Sequence, residues 1–473
     1  MMSRQSAASV GAAFVVAIAV AAVAAPAASA SSNASTSDAL VNHARGQWWV
    51  DAAQLRARHA SGLTGVGVNI ALLDGPISPD VPDLVGQDVR PTASSCGEVN
   101  ADQGPLSPSV PLSDVSFHST SIAAVMVGSG RGNGPGGTGI LGVAPGATLR
   151  TYAVFNTLDP AQNLMCDPEA MVGLIDRVVA DGADIVEIPV TIQTPPPVLA
   201  AVNRGLARGV VFVVGAGNGG ESTQPMSPGT EPGVLVVGSV GRTGQVSVFS
   251  PSSVAEDLAT AQTLNASGSE IHVLAPGEDV LGGGLTRGAW TSDVLQSGTS
   301  GASAVVAGLL ALMKQRWPGA TGNQLLMSLL RNVTQPAGTP VWDPRRGFGA
   351  IDVAAVLSVD PRSYPDVQPL YGGLARVHDP APPAPRIPTE IDAEGRLVVS
   401  PLGRTSSAGP TGSRSSGTSA PRGPVATTPT GSGLAAAPTR AAESDDVLAR
   451  WVAAAAFVVA VVAAVTVLRR RPS

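Results

Sequence analysis

Four polar residues far apart along the chain, Asp74, His118, Asn218 and Ser300, carry the side chains that a serine nucleophile needs for covalent catalysis. Such a hydroxyl requires an imidazole to take its proton, a carboxylate to orient that imidazole and a donor for the oxyanion of the tetrahedral intermediate. Ser300 would be the nucleophile, His118 the general base, Asp74 its acidic partner and Asn218 the oxyanion donor. Taken singly, each residue also has an ordinary structural explanation: a turn carboxylate, a buried structural histidine, a turn asparagine or a helix-capping serine.

Ser300 lies in the stretch that best predicts a functional element. The Gly- and Ser-rich turn of residues 296–303 runs directly into the apolar residues Leu309, Leu310, Leu312 and Met313. This pattern predicts a buried helix with Ser300 on its first turn, where free backbone N–H groups and the positive end of the helix dipole collect.

The other three residues follow or precede predicted elements of one sheet. The apolar run 68–73 ends at Asp74, and the run 210–214 leads through a glycine-rich turn to Asn218. His118 heads a helix rich in small residues. Because catalytic groups of open α/β sheets gather at the carboxyl ends of parallel strands, these positions favour a common site.

Strands and helices alternate along the rest of the chain at the spacing of a parallel sheet. We therefore predict an α/β domain over residues 40–359, with a mostly parallel sheet flanked by helices. Residues 78–114 and the Gly-rich 129–139 are predicted to be loops. The further predicted strands are 147–155, 184–190, 234–240 and 271–274, and the further predicted helices are 168–180, 198–208 and 323–332.

The order Asp, His, Asn, Ser and the motif Ser297-Gly298-Thr299-Ser300 resemble those of the subtilisin-like serine peptidases, peptidase family S8. The resemblance implies a subtilisin-like fold, the triad Asp74, His118 and Ser300, and an oxyanion hole at Asn218. Further segments are similar to the family's sequence blocks: 70–74, 118–123, 142–147, 215–218 and 306–308.

Both ends of the chain predict export and membrane anchoring. Residues 1–30 have the basic start, apolar core and small-residue end of a signal peptide, and 451–468 form an uncharged run followed by Arg469, Arg470 and Arg471. We expect a flexible Pro-, Ser-, Thr- and Gly-rich linker over 360–446, a single transmembrane helix over 447–468 and a cytoplasmic tail over 469–473. The catalytic domain would then be extracytoplasmic.

These ends, together with a Trp-containing N-terminal extension, narrow the resemblance to the mycosins, membrane-anchored peptidases of actinobacterial type VII secretion systems. The resemblance implies a protein or peptide substrate and type VII secretion components as partners. Cys96 and Cys166 lie in the exported part, where we expect one disulfide, with two free thiols as the alternative.

Four departures from the family pattern leave a second hypothesis open. Gly75-Pro76 follows Asp74, Ser119 stands where glycine is usual, and Ala304 stands where proline is usual. The family's Ser-Leu-Gly substrate-pairing run is replaced by residues 187–192, in which Pro189 lacks a backbone donor. The first hypothesis is an exported serine endopeptidase, and the second is a structural subunit that steadies a secretion complex with weak or absent hydrolysis.

Charge and residue spacing argue against other classes of function. The net charge is -6, and the chain has no basic block outside the membrane edge, so we predict no nucleic-acid partner. No cluster of His or carboxylates has metal-ligand spacing, and we therefore predict neither a metal nor another cofactor.

Overall fold

A nine-stranded sheet is the centre of the part of the chain that the structure describes. The structure, a computed structural model, describes residues 44–95, 107–155, 168–220, 228–253, 270–334, 342–370, 390–391 and 397–398. Its sheet strands are β1 (Asn69–Asp74), β2 (Val89–Ser94), β5 (Thr148–Ala153), β6 (Ile185–Ile188), β7 (Val211–Gly215), β8 (Leu235–Val240), β9 (Val273–Pro276), β14 (Val333–Thr334) and β15 (Ala350–Ile351). The numbers missing from this series belong to short pairs: β3 (Ser129–Arg131) with β4 (Thr138–Leu141), β10 (Val280–Leu281) with β13 (Leu295–Gln296), and β11 (Gly284–Thr286) with β12 (Ala289–Thr291).

The strand order is β14-β15-β9-β8-β7-β6-β1-β5-β2, and every neighbouring pair is parallel except β14 with β15. The predicted α/β fold with a mostly parallel sheet is confirmed. Because the strands share one direction, β1, β7 and β9 end on the same edge of the sheet. Asp74 is the last residue of β1, which places it on that edge.

Helices cover both faces of the sheet. Ile70 and Leu72 of β1 belong to one buried cluster, whereas Ala71 and Leu73 belong to the other, as strand alternation requires. The helices are α1 (Trp48–Ala52), α2 (Leu55–Ala60), α3 (Asp114–Val127), α4 (Pro168–Ala180), α5 (Pro196–Ala207), α6 (Thr299–Arg316), α7 (Gly322–Arg331) and α8 (Val353–Val356). Helices α3 and α6 pack in the first cluster, and α4 and α5 pack in the second.

Helix α6 is the buried helix that its sequence predicts. Its residues Thr299, Ser300 and 302–313 are all buried, and the helix packs on β6, β7, β8 and β9. Gly308 permits this close packing of α6, because a Cβ at position 308 would lie only 2.5 Å from the Cβ of Val143. The first turn of α6 is thereby fixed against the carboxyl ends of the strands.

Two predicted loops contain strands. Residues 89–94 form β2, which pairs parallel with β5 at the edge of the sheet, with a register shift between Pro91 and Ala93. Proline is tolerated at such edges and bulges, so the polar, Pro-containing sequence did not exclude a strand. The Gly-rich segment 129–139 likewise contributes β3 and the start of β4.

Several predictions fall outside the described residues: the signal peptide 1–30, the transmembrane helix 447–468, the tail 469–473 and the cysteines Cys96 and Cys166. Within the described ranges, no helix has the length and apolar character needed to cross a membrane. Packing on the domain continues past the predicted boundary at residue 359. Val367 and Leu370 are buried, and Thr321 donates a hydrogen bond to Asp366.

His272 is a buried neutral base in the sheet-adjacent core. Its Nδ1 accepts a hydrogen bond of 2.9 Å from the Val236 N–H, and burial lowers the pKa of His272 to about 3. The unfolded chain would protonate this ring near the ordinary value of 6.5. The unfolded state therefore binds more protons below pH 6.5, and acidification destabilises the folded state.

We expect the His272→Gln variant to lose less stability on acidification than the wild type. Between pH 7 and pH 5, the free energy of unfolding of the wild type should fall by about 2 kcal/mol more than that of the variant, because glutamine does not titrate. Urea unfolding at both pH values measures this shift. Parallel pH dependence of the two proteins would contradict a neutral buried His272.

Candidate active site

Asp74 and His118 form a hydrogen-bonded pair. The Nδ1 of His118 lies 2.8 Å from Oδ2 and 3.0 Å from Oδ1 of Asp74, although the residues are 44 positions apart. Asp74 is fully buried, and its Oδ1 also accepts the Gly75 N–H at 2.7 Å. This arrangement fixes the imidazole plane. It places the proton on Nδ1, which donates to the carboxylate, so Nε2 is left for chemistry.

Hydrogen bonds from α3 tie this helix to the loop after β1. The Ser119 hydroxyl donates to the Pro76 carbonyl at 2.5 Å, and the Ser78 N–H donates to the Thr120 hydroxyl at 3.0 Å. His118 is the fifth residue of α3 rather than its first, since the helix begins at Asp114. Ser119, a departure from the family pattern, thus helps to hold His118 beside Asp74.

The electrostatic environment favours a basic His118. Burial by itself lowers the pKa of this ring, but the negative charge of Asp74 and its hydrogen bond outweigh burial, and the net effect raises the pKa above 6.5. The side chain of His118 is 30% exposed, whereas that of Asp74 has no exposure. The imidazole therefore has a solvent-facing side and a buried carboxylate behind it.

Asn218 and the first turn of α6 form a second pair. The Thr299 N–H donates to Asn218 Oδ1 at 2.9 Å, and the Thr299 hydroxyl lies 3.2 Å from the same oxygen. A backbone N–H can only donate, so this contact identifies the oxygen of the amide and leaves Nδ2 on its other side. Asn218 is exposed, and its NH₂ group can act as a donor in the cleft.

The Asn218 amide and the Ser300 hydroxyl border the same small space. A Cβ built on Gly298 would lie 3.4 Å from Ser300 Oγ and 3.5 Å from Asn218 Nδ2. Ser300 is the second residue of α6, where the backbone N–H has no carbonyl one turn earlier in the helix. Two N–H donors and a hydroxyl are thus gathered at the start of one helix.

Helix α3, which carries His118, packs against α6, which carries Ser300. The structure thus brings Asp74 to His118, and it brings Asn218 to the first turn of α6, which carries Ser300. Among the described residues, no hydrogen bond joins the His118 ring to the Ser300 hydroxyl. Contacts of this kind are often long without substrate and shorten in the substrate complex.

The segment that departs from the family's substrate-pairing pattern leaves the sheet early. Strand β6 ends at Ile188, immediately before Pro189, although the sequence predicted a strand through residue 190. Proline has no N–H for further pairing, which accounts for the end of the strand. Pro189 and Val190 are only partly buried.

Sequence reasoning did not identify the side chains beneath Ser300. Glu187 of β6 is fully buried, and its Oε1 lies 2.5 Å from the Ser303 hydroxyl of α6. The sequence does contain one indication of a buried polar contact here, since Glu187 is the only charged residue among the apolar residues of β6. Throughout the described ranges, no group of three or more His, Cys, Asp or Glu side chains could hold a metal ion.

Comparison with known proteins identifies the family of this chain. A family model described as the Subtilase family, Peptidase S8, matches residues 65–349. The matched range covers all four candidate residues and more than half of the chain. The chain therefore belongs to the subtilase family.

Three relatives show how far the similarity extends. The chain is 29% identical to the minor extracellular protease Epr of Bacillus subtilis, over 65% of this chain and 41% of Epr. It is 30% identical to Mycosin-4 of Mycobacterium tuberculosis, over 54% of this chain and 60% of Mycosin-4, which confirms the predicted resemblance to mycosins. The crystal structure of fervidolysin from Fervidobacterium pennivorans, a keratinolytic enzyme, matches with a TM-score of 0.52 and 23% identity over 66% of this chain and 45% of that one. The last similarity shows a shared fold, and the chain spans less than two thirds of each relative.

Proposed function

We propose that this protein is an exported serine endopeptidase that hydrolyses peptide bonds with Asp74, His118 and Ser300. The observation that carries the proposal is the bond between His118 Nδ1 and the buried Asp74 carboxylate, in a subtilase whose Ser300 opens the adjacent helix. This bond orients Nε2 and makes the ring a stronger base, which is what an unactivated serine hydroxyl needs.

The four residues have distinct roles in the proposed reaction. His118 Nε2 takes the Ser300 proton as Oγ attacks the substrate carbonyl carbon, and Asp74 stabilises the resulting imidazolium. The Asn218 amide and the Ser300 backbone N–H donate to the oxyanion. His118 then gives its proton to the leaving amine. A water molecule next gives a proton to His118 as it attacks the acyl carbon, and His118 returns that proton to Ser300 Oγ as the acid is released.

The proposal places the catalytic domain outside the cytoplasm, held by a C-terminal membrane helix and acting beside type VII secretion components. Similarity to Mycosin-4 supports this placement. The sequence supports it independently, because residues 1–30 and 447–473 have the patterns of a signal peptide and of an anchor with a basic cytoplasmic tail.

A second candidate function is a structural subunit of the secretion complex with weak or absent hydrolysis. The early end of β6 at Pro189 favours this candidate, because the strand that would pair with a substrate is shortened. A shortened strand offers fewer backbone hydrogen bonds to an extended peptide.

Hydrolysis of fluorogenic peptides by the detergent-solubilised full chain tests the proposal, with Ser300→Ala as the control. We expect turnover that the Ser300→Ala variant lacks. Equal rates for both proteins would contradict the proposal. A wild type that is folded, inactive on proteins and peptides, and unlabelled by a fluorophosphonate would favour the structural subunit.

The role of Asn218 can be separated from its contact with Thr299. Asn218→Asp keeps an oxygen that accepts the Thr299 N–H but removes the NH₂ donor. We expect both Asn218→Asp and Asn218→Leu to lower kcat by about 10²- to 10³-fold with little change in KM, because the donor acts on the oxyanion. Steady-state kinetics measures the effect. Near-normal kcat in Asn218→Asp would mean that the residue only anchors Thr299.

A further inference from the structure

Glu187 is a buried carboxyl group directly beneath the helix that carries Ser300. It lies in register with Leu72 of β1 and Val213 of β7, so its side chain points to the face on which α6 packs. Its Oε1 is 2.5 Å from the Ser303 hydroxyl of α6. Its Oε2 is buried and has no hydrogen-bond partner among the described residues.

The hydroxyl of Ser303 connects Glu187 to the nucleophile. Ser303 Oγ also lies 3.1 Å from the carbonyl oxygen of Ser300. The Ser300 carbonyl accepts only, and Ser303 has one hydroxyl proton. If Glu187 were ionised, two acceptors would share that proton. A proton on Glu187 Oε1 satisfies both contacts: Glu187 donates to Ser303, and Ser303 donates to Ser300.

The surroundings of Glu187 favour this protonated form. Burial raises the pKa of Glu187 well above its ordinary value of 4.5. The hydrogen bond between Glu187 and Ser303 acts in the opposite direction, and the charge of Asp74 raises the pKa further. Asp74 on β1, with His118 of α3 bound to it, is the nearby titratable pair. Strand β7 and residues 299–313 of α6 contain no titratable side chain.

An ionised Glu187 would also leave Oε2 as an unpaired anionic oxygen in the core. Such a group costs far more to bury than the carbonyl oxygen of a neutral acid. The contacts and the burial therefore lead to the same protonation state.

We propose that Glu187 is a positioning residue for Ser300: as a neutral acid it donates to Ser303, which donates to the Ser300 carbonyl and fixes the first turn of α6. The inference rests on the proposed peptidase function for its kinetic consequence, but not for the proton itself. Glu187 does not touch substrate. It acts by holding the backbone from which Ser300 Oγ and the Ser300 N–H project.

Three substitutions in the full chain test the positioning role. Glu187→Gln keeps a donor for Ser303, Glu187→Leu fills the same space without one, and Ser303→Ala removes the middle of the chain of bonds. We expect Glu187→Leu and Ser303→Ala each to lower kcat about 10- to 100-fold with KM unchanged, because displaced groups lose rate rather than binding. Glu187→Gln should remain close to the wild type. Full kcat in a folded Glu187→Leu would overturn the role.

The pH profile adds a kinetic readout that a purely structural residue would not move. Ionisation of Glu187 at alkaline pH would withdraw its proton from Ser303 and place a second negative charge beside Asp74. We expect an alkaline fall in kcat/KM in the wild type that is weaker in Glu187→Gln. Superimposable alkaline limbs would overturn this part of the inference.

The proton on Glu187 can be tested without any activity, which separates failure of this inference from failure of the peptidase assignment. The folded wild type should keep this proton above pH 4.5, whereas the unfolded chain releases it. The unfolding equilibrium constant of the wild type, relative to Glu187→Gln, should therefore rise by about tenfold per pH unit from that value up to the pH at which the folded carboxyl group ionises. The infrared difference spectrum of the two folded proteins at pH 7 should also show a protonated carboxyl band. A constant ratio and a carboxylate band would refute the neutral acid, whether or not the protein cleaves peptides.

Discussion

Ser300→Ala is expected to lower kcat on a peptide substrate by about 10⁶-fold, the size of the loss that removal of the nucleophile causes in subtilisin. Stability should change little, because the position is the second residue of a helix and alanine suits helices. Steady-state rates and urea unfolding of the same preparations measure both effects.

Ser297→Ala is a matched control for this substitution. Ser297 is an exposed serine three residues earlier. In the described part of the chain, the one hydrogen bond of its hydroxyl is the bond that it accepts from the Asp279 N–H. The activity of the Ser297→Ala variant should stay near that of the wild type. Residual hydrolysis by Ser300→Ala at the wild-type rate would mean that another group attacks the substrate.

Asp74→Asn should lower kcat about 10⁴-fold, because an amide facing Nδ1 favours the wrong tautomer of His118 and does not stabilise imidazolium. The same change should move the acidic limb of the pH profile. Asp74 raises the pKa of His118 above 6.5, and a protonated His118 cannot accept the Ser300 proton, so wild-type kcat/KM falls as the pH drops through a value above 6.5. Without the negative charge, this limb should appear at lower pH.

Measurement of kcat/KM between pH 5 and pH 9 for both proteins tests the shift. Asp88→Asn is a suitable control, since Asp88 is a surface carboxylate paired with Arg90. An unchanged acidic limb in Asp74→Asn, or a limb that moves to higher pH, would contradict the assigned pairing.

Much of the scaffold could be predicted because its signals are local. Apolar runs of strand length that end in a polar or glycine turn marked β1 and β7, and helix α4 was predicted over the residues 168–180 that it occupies. Parallel topology then placed Asp74 at a sheet edge. The sequence did not predict the edge strand β2. A strand that is paired on one side tolerates Arg, Pro and Ser, and a segment with these residues is typical of a loop.

Contacts that join distant segments could not be derived from local patterns. Ser119 looked like a departure from a glycine, and only the fold shows that its hydroxyl binds the Pro76 carbonyl beside the Asp74 loop. Glu187 looked like part of an altered substrate strand, and only the packing of α6 on β6 shows that its carboxyl meets Ser303. In both cases the hydrogen-bond partner lies on another structural element, so the spacing of residues along the sequence does not predict the hydrogen bond.

Mass-spectrometric mapping of a fluorophosphonate adduct is the most direct test of the account. The probe reacts with a serine hydroxyl only where a base accepts its proton, so it reports activation of the nucleophile without any choice of peptide substrate. We predict one adduct, on the peptide containing Ser300, which forms in the wild type, forms far more slowly in Asp74→Asn and is absent in Ser300→Ala. A folded wild-type protein that remains unlabelled, or that carries its adduct on a different serine, would contradict the assignment of Ser300 as the nucleophile.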